Sequence, residues 1–373
     1  MIALSILMAG CSSGGSQVIT CGGIGDPCPV VPGPAFLYAT SGSNGGEILA
    51  FTIDRSTGTL GTPTTIPGPM SSGITAAQNQ FLYVSDTVNG LVDAFSINQT
   101  TGALTDVAGS PFSFGSTPPN DLLGLVAGTD LYASSNNGIS SFTIAANGAL
   151  TPVIGSPFSG GLGGQAAIGQ SNTTPINYFL YATNLEDKQG SISAFTVNSE
   201  TGVLTSIPGT FTTGRHAGPD GIVFDQSPTL GPFVFVALNT LNEIAGFSVD
   251  PTTGALTAVP GSPFNSGTSP VFLALSENQN FLYATNFSDG SISGYSIASD
   301  GGLTPVPGSP FVLGDTPGNM ITTATNFLYV TLPGSGTILG FSIGANGTLT
   351  TVEGSPFSAS GALYLATVQI PPS

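Results

Sequence analysis

The sequence predicts an all-β fold, a seven-bladed β-propeller of four-stranded antiparallel blades, on three observations. A unit typified by Phe281–Phe311, FLYATNFSDGSISGYSIASDGGLTPVPGSPF, recurs seven times, starting at Phe36, Phe81, Asp130, Phe179, Phe233, Phe281 and Phe327. The spacings of 45, 49, 49, 54, 48 and 46 residues are those of propeller blades. Within each unit Val, Ile, Phe, Tyr and Thr run in alternating stretches between clusters of Gly, Asn, Asp and Pro, the pattern of a β-meander.

The chain opens on a short apolar run, MIALSILMAGC, followed by Ser12-Ser13-Gly14-Gly15. The small residues before Cys11 resemble a bacterial lipoprotein signal with its lipobox, although the first cation is as late as Arg55. The resemblance implies a signal peptide at residues 1–10, cleavage before Cys11 and a lipid on its thiol. The protein is then exported and anchored to a membrane, in the periplasm or at the cell surface. Cys11→Ser should release it from the membrane fraction; unchanged fractionation would refute the lipid anchor. Residues 11–34, rich in Gly, Ser and Pro, read as a tether. Cys21 and Cys28 lie within it, with six residues between them, and either close a small disulfide loop or stay as free thiols.

From Ala35 the repeats take over, as a propeller domain over 35–373. The FLY-type strand comes first, then a strand of the form Ile/Val-x-small-aromatic, as in Ile192-Ser193-Ala194-Phe195. Bulk on one face and a small residue on the other suit a sheet held between two neighbouring sheets. The next turn carries a Gly before Leu, at Gly58, Gly102, Gly148, Gly202, Gly254, Gly301 and Gly347, where a tight hairpin demands positive φ. A short outer strand follows, and five units then end in Gly-Ser-Pro-Phe, with Phe placed to plug the gap between blades. An innermost strand precedes each FLY except the first, whereas Ala362–Val368 is an apolar strand left over at the C-terminus. Giving that strand to the first blade closes the ring and leaves no free edge.

Only 6% of residues are charged, with 3 Lys+Arg against 20 Asp+Glu and a formal charge of −17. So few cations exclude nucleic acid as a partner and disfavour attraction to anionic lipid headgroups. No phosphate loop, Cys-x-x-Cys or His-Glu-x-x-His occurs, and no cofactor is expected. A monomer is expected.

Three of the four basic or imidazole side chains fall on loops of one rim: Lys188 in one blade, Arg215 and His216 at the entry to the next. There His216 could act as a general base on water while Arg215 polarises a lactone carbonyl or holds a carboxylate, with Lys188, Asp220 and Asn239 as binding residues. Asp86, Asp121, Asp220, Asp289 and Asp315 fall on rim loops or at strand ends entering the channel. Such carboxylates suit Ca²⁺, but their spacing is that of turn formers, and no metal is expected.

The repeated FLYATN…GSISAF…TGxLTPVPGSPF pattern resembles the lactonase family of seven-bladed β-propellers, named for 6-phosphogluconolactonase, over about residues 35–373. The resemblance implies an active site with a Pro-Arg-His motif at the entry to an inner strand and a Glu after a later strand. The nearest match is Gly214-Arg215-His216-Ala217-Gly218-Pro219-Asp220, with Pro after the pair, and Asn239 stands where the family has Glu. On balance the residues favour a lipid-anchored binding module that takes a small molecule or a protein at its rim. The alternative is a lactonase working around Arg215 and His216.

Overall fold

Each repeat folds into one small antiparallel sheet, and the seven sheets follow one another in chain order. The computed structural model describes residues 33–114, 121–124, 129–161, 163–185, 190–209, 211–214, 217–227 and 231–371. The signal segment, Cys11, Cys21 and Cys28 lie outside these residues. Pro34–Ile370 form one unit, a seven-bladed propeller.

The innermost strands are Ile74–Ala77, Asp121–Gly124, Gly163–Gln170, Pro219–Asp225, Pro270–Leu275, Met320–Thr322 and Ala362–Gln369. Each touches the next around the axis, and the last touches the first. As expected, the C-terminal strand is the inner strand of the first blade: Ala35 pairs with Gln369 and Ala39 with Leu365. The end of each Gly-Ser-Pro-Phe element pairs beside the outer strand, as at Ile292↔Phe311. Its Ser hydroxyl accepts the N–H of the small residue on the third strand, as Ser110 does for Ala94 and Ser309 for Gly294.

The FLY strand is buried along its whole length, six or seven residues in a row, because it lies between two blades. Its Tyr hydroxyl donates to the carbonyl of the hairpin Gly in the following blade. These bonds run Tyr38→Gly102 at 2.8 Å, Tyr83→Gly148 at 2.9 Å, Tyr132→Gly202 at 3.4 Å, Tyr181→Gly254 at 2.7 Å, Tyr283→Gly347 at 2.8 Å and Tyr329→Gly58 at 2.6 Å. The last bond joins the seventh blade to the first. Each is worth about 1 kcal/mol net, but an orphaned buried hydroxyl would cost more.

The Phe of the same strand lies against that Gly. A Cβ at Gly58 would come within 2.4 Å of the Phe327 ring, and one at Gly102 within 2.5 Å of Phe36. So the hairpin Gly serves two ends, a φ of 75° at Gly58 and the close approach of a ring from the neighbouring blade.

Two repeats depart from this rule. In the third blade Asp130 replaces the Phe and is buried, its carboxyl pushed up to about 6 by loss of solvent. In the fifth blade Phe235 replaces the Tyr, so the contact between the fifth and sixth blades has no such hydroxyl bond. On the same side Asp225 is fully buried. One of its carboxylate oxygens accepts the Ser227 N–H at 2.8 Å, and the other has no partner among the described residues.

Candidate functional site

The entry ends of the inner strands surround a cavity of about 300 Å³ lined by Ser72, Asp121, Gln165, Asp220, Phe272, Asn319 and Tyr364, with Gly163, Gly164 and Val271. All seven blades contribute. In each, the residue that enters lies opposite or beside the residue after FLYA, such as Thr40, Ser134 or Thr183. In four blades the pairing slips there: between Ala39 and Ser41, Gly163 and Ala166, Pro219 and Ile222, and Pro270 and Leu273. A bulge turns a side chain away from the pleat, and these four coincide with Tyr364, Gln165, Asp220 and Phe272.

Two carboxylates meet in this cavity. Asp121 is pushed from 3.8 to about 7, first by burial and then by the charge of Asp220, against the pull of the Ala166 and Leu122 N–H groups. Those N–H bonds measure 3.3 Å and 2.9 Å. Burial likewise lifts Asp220 to about 6, and the Gln165 side-chain amide donates to it at 3.4 Å. Thr183 fixes the strand under it by donating to the Asp220 carbonyl at 2.9 Å. Tyr364 stands edge-on to Phe272, with ring centroids 6.2 Å apart at 80°. Burial, then the charges of Asp121 and Asp220, raise its phenol above the ordinary value, so it stays protonated.

Of the expected site residues, Asp220 lines the cavity. Asn239 does not: its main-chain N–H bonds the Gly218 carbonyl at 3.0 Å and ties down the approach to the inner strand. Lys188, Arg215 and His216 lie outside the described residues. Asp86, Asp289 and Asp315 cap turns, accepting N–H groups of Val88 and Asn89, of Thr268, and of Thr316 respectively. Among the described residues no group of three or more His, Cys, Asp or Glu is placed to hold a metal ion. Arg55 is at the other end of the channel, donating to Gln369 at 3.0 Å. Gln369 is five residues from Tyr364, or about 17 Å along the closing strand.

Residues 135–264 match a family model described as "Lactonase, 7-bladed beta-propeller". That stretch holds Gln165 and Asp220. No curated protein matches the chain. Among solved structures, the Pseudomonas aeruginosa periplasmic gluconolactonase is similar at 17% identity and a TM-score of 0.74, over 91% of this chain and 100% of that one. A candidate 6-phosphogluconolactonase from Bacteroides fragilis is similar at 19% identity and a TM-score of 0.72, over 92% of this chain and 100% of that one. Its counterpart from Bacteroides uniformis gives 19%, a TM-score of 0.74, and 91% and 100%. At such identities the structural likeness is one of fold. The chain is a seven-bladed β-propeller, of which residues 135–264 match the lactonase family model.

Proposed function

We propose that the chain hydrolyses a lactone at the cavity formed by the inner-strand entries, with Asp220 and Asp121 handling the protons. The observation that carries this reading is the meeting of two half-buried carboxyls in one cavity, both raised towards neutrality by loss of solvent, and Asp121 also by the charge of Asp220. Pairs of this kind divide the roles of base and acid between them. The family match over the segment that holds Asp220 supports it further, and moves the balance from binding module towards enzyme.

Asp220, the stronger acid, is ionised first and takes a proton from water as the water oxygen attacks the lactone carbonyl. The tetrahedral intermediate then collapses. Its carbon–oxygen ring bond breaks, and protonated Asp121 gives its proton to the departing ring oxygen. The product is the open hydroxy acid. Exchange with solvent returns both carboxyls to their starting states. Such a pair titrates as a unit, so turnover should peak near pH 6.5 and fall on both sides, as Asp220 protonates below it and Asp121 ionises above it.

The test is base uptake in a pH-stat with purified protein and simple δ- and γ-lactones, corrected for spontaneous hydrolysis. Asp220→Asn should lower kcat by 10²–10⁴-fold, the usual range for a lost general base. Binding without turnover by the wild type would refute the hydrolase and restore the binding module.

A further inference from the structure

Seven of the nine tyrosines serve the frame. Tyr38, Tyr83, Tyr132, Tyr181, Tyr283 and Tyr329 each donate to a hairpin carbonyl of the next blade, and Tyr295 donates to the Asn265 carbonyl at 2.6 Å. Tyr364 differs. It lines the cavity, and among the described residues its hydroxyl has no hydrogen-bond partner. We propose that the Tyr364 hydroxyl is a catalytic donor, hydrogen-bonding the lactone carbonyl oxygen and the oxyanion that forms there. The proposal rests on the hydrolase reading above.

Three observations support it besides the unpartnered hydroxyl. The phenol lies within the field of both Asp121 and Asp220, where the water and the ring oxygen must be handled. It keeps its proton at neutral pH, as a donor must. Its place is also fixed before any ligand arrives. The Tyr364 N–H bonds Thr40 Oγ1 at 3.2 Å and the next N–H, of Leu365, bonds Asn319 Oδ1 at 3.1 Å. The Leu363 carbonyl accepts from Thr331 Oγ1 at 3.1 Å. The main chain is thus held at three successive residues, and Phe272 flanks the ring. A donor fixed in this way needs no reorganisation as negative charge develops on the carbonyl oxygen, and that is the condition under which oxyanion donors are effective.

The role has a consequence for assembly. Tyr364 is carried by the strand that closes the ring, so the catalytic set is complete only when the C-terminus has paired with Ala35–Ser41.

The experiment compares wild type and Tyr364→Phe in the pH-stat assay, with thermal melts of both. Phe keeps the ring and its edge contact with Phe272, and among the described residues no hydrogen bond is lost. The expected result is a kcat lowered about 10²–10³-fold, KM within about twofold and an unchanged Tm. Wild-type kcat in Tyr364→Phe overturns the proposal while leaving the hydrolase standing. A raised KM with unchanged kcat also overturns it, since the hydroxyl then only binds substrate. An inert wild type overturns the hydrolase and this donor together.

Discussion

Removal of residues 361–373 is expected to abolish cooperative folding. The lost strand carries Ala362, Leu365, Ala366 and Val368, and the lost tail Ile370, all buried in the two hydrophobic clusters on either side of the first blade. Full burial of a large apolar side chain contributes about 1.5–3 kcal/mol, so the truncation removes a sum comparable with the whole net stability of about 5–15 kcal/mol. It also bares the main chain of Ala35–Ser41, a row of unpaired donors and acceptors flanked by Phe36, Leu37 and Tyr38. An exposed apolar edge of that kind pairs with other chains. Circular dichroism melts and size-exclusion chromatography of the truncated chain should show a broad, low-temperature transition and aggregates. A monomer that melts sharply at the full-length Tm would show that the ring does not depend on this lock.

Stability is expected to fall steeply as pH rises from about 4 to about 7. Burial raises the carboxyls of Asp121 and Asp225 to about 7 and those of Asp93, Asp130 and Asp220 to about 6, each from 3.8. In the unfolded chain these groups lose their protons near pH 4; in the folded chain they hold them for two to three pH units longer. The native state therefore binds more protons across that window, and the slope of unfolding free energy against pH is negative. For Asp121 and Asp225 the gap corresponds to about 4 kcal/mol each when complete.

The exposed carboxyls act in the opposite sense and elsewhere. Hydrogen bonds from Ser56 and Thr57 hold Asp54 at about 2, and Asp250 is likewise lowered by Thr252 and Thr253. Their contribution is present above pH 4 and disappears only below it. Maximum stability should lie near pH 4–5, with Tm at pH 5 roughly 10 °C above Tm at pH 8 for a chain of this size. Asp225→Asn, which removes the half-satisfied carboxylate facing the sixth blade, should flatten the profile between pH 5 and 8. A Tm that is level or rises over that range, or a slope untouched by Asp225→Asn, would refute the assignment.

The repeats were legible in the sequence because each blade makes the same local demands. FLYAT must be apolar on both faces, the third strand needs a small residue opposite its aromatic, and the hairpin needs Gly. Seven copies in register leave a propeller, and the leftover strand Ala362–Val368 with a first FLY lacking an inner partner indicates how the ring closes. Even here the reason for a residue could lie elsewhere in the chain. Gly102 reads as a turn former, but it also meets the ring of Phe36 and the hydroxyl of Tyr38, some sixty residues earlier.

The site was much less legible. Asp220 could be marked because it follows Arg215 and His216, but Asp121 looked like one of several turn carboxylates and Tyr364 like another core aromatic of the closing strand. What separates them is register. A one-residue slip moves a strand's side chains from one face to the other, and no pattern in the chain announces the bulges that bring Tyr364, Gln165, Asp220 and Phe272 to one cavity. The sequence by itself determined the number of blades, their order and the closure. Only the tertiary structure decided which carboxylates meet, because that depends on seven strand ends converging on one axis from positions up to about three hundred residues apart.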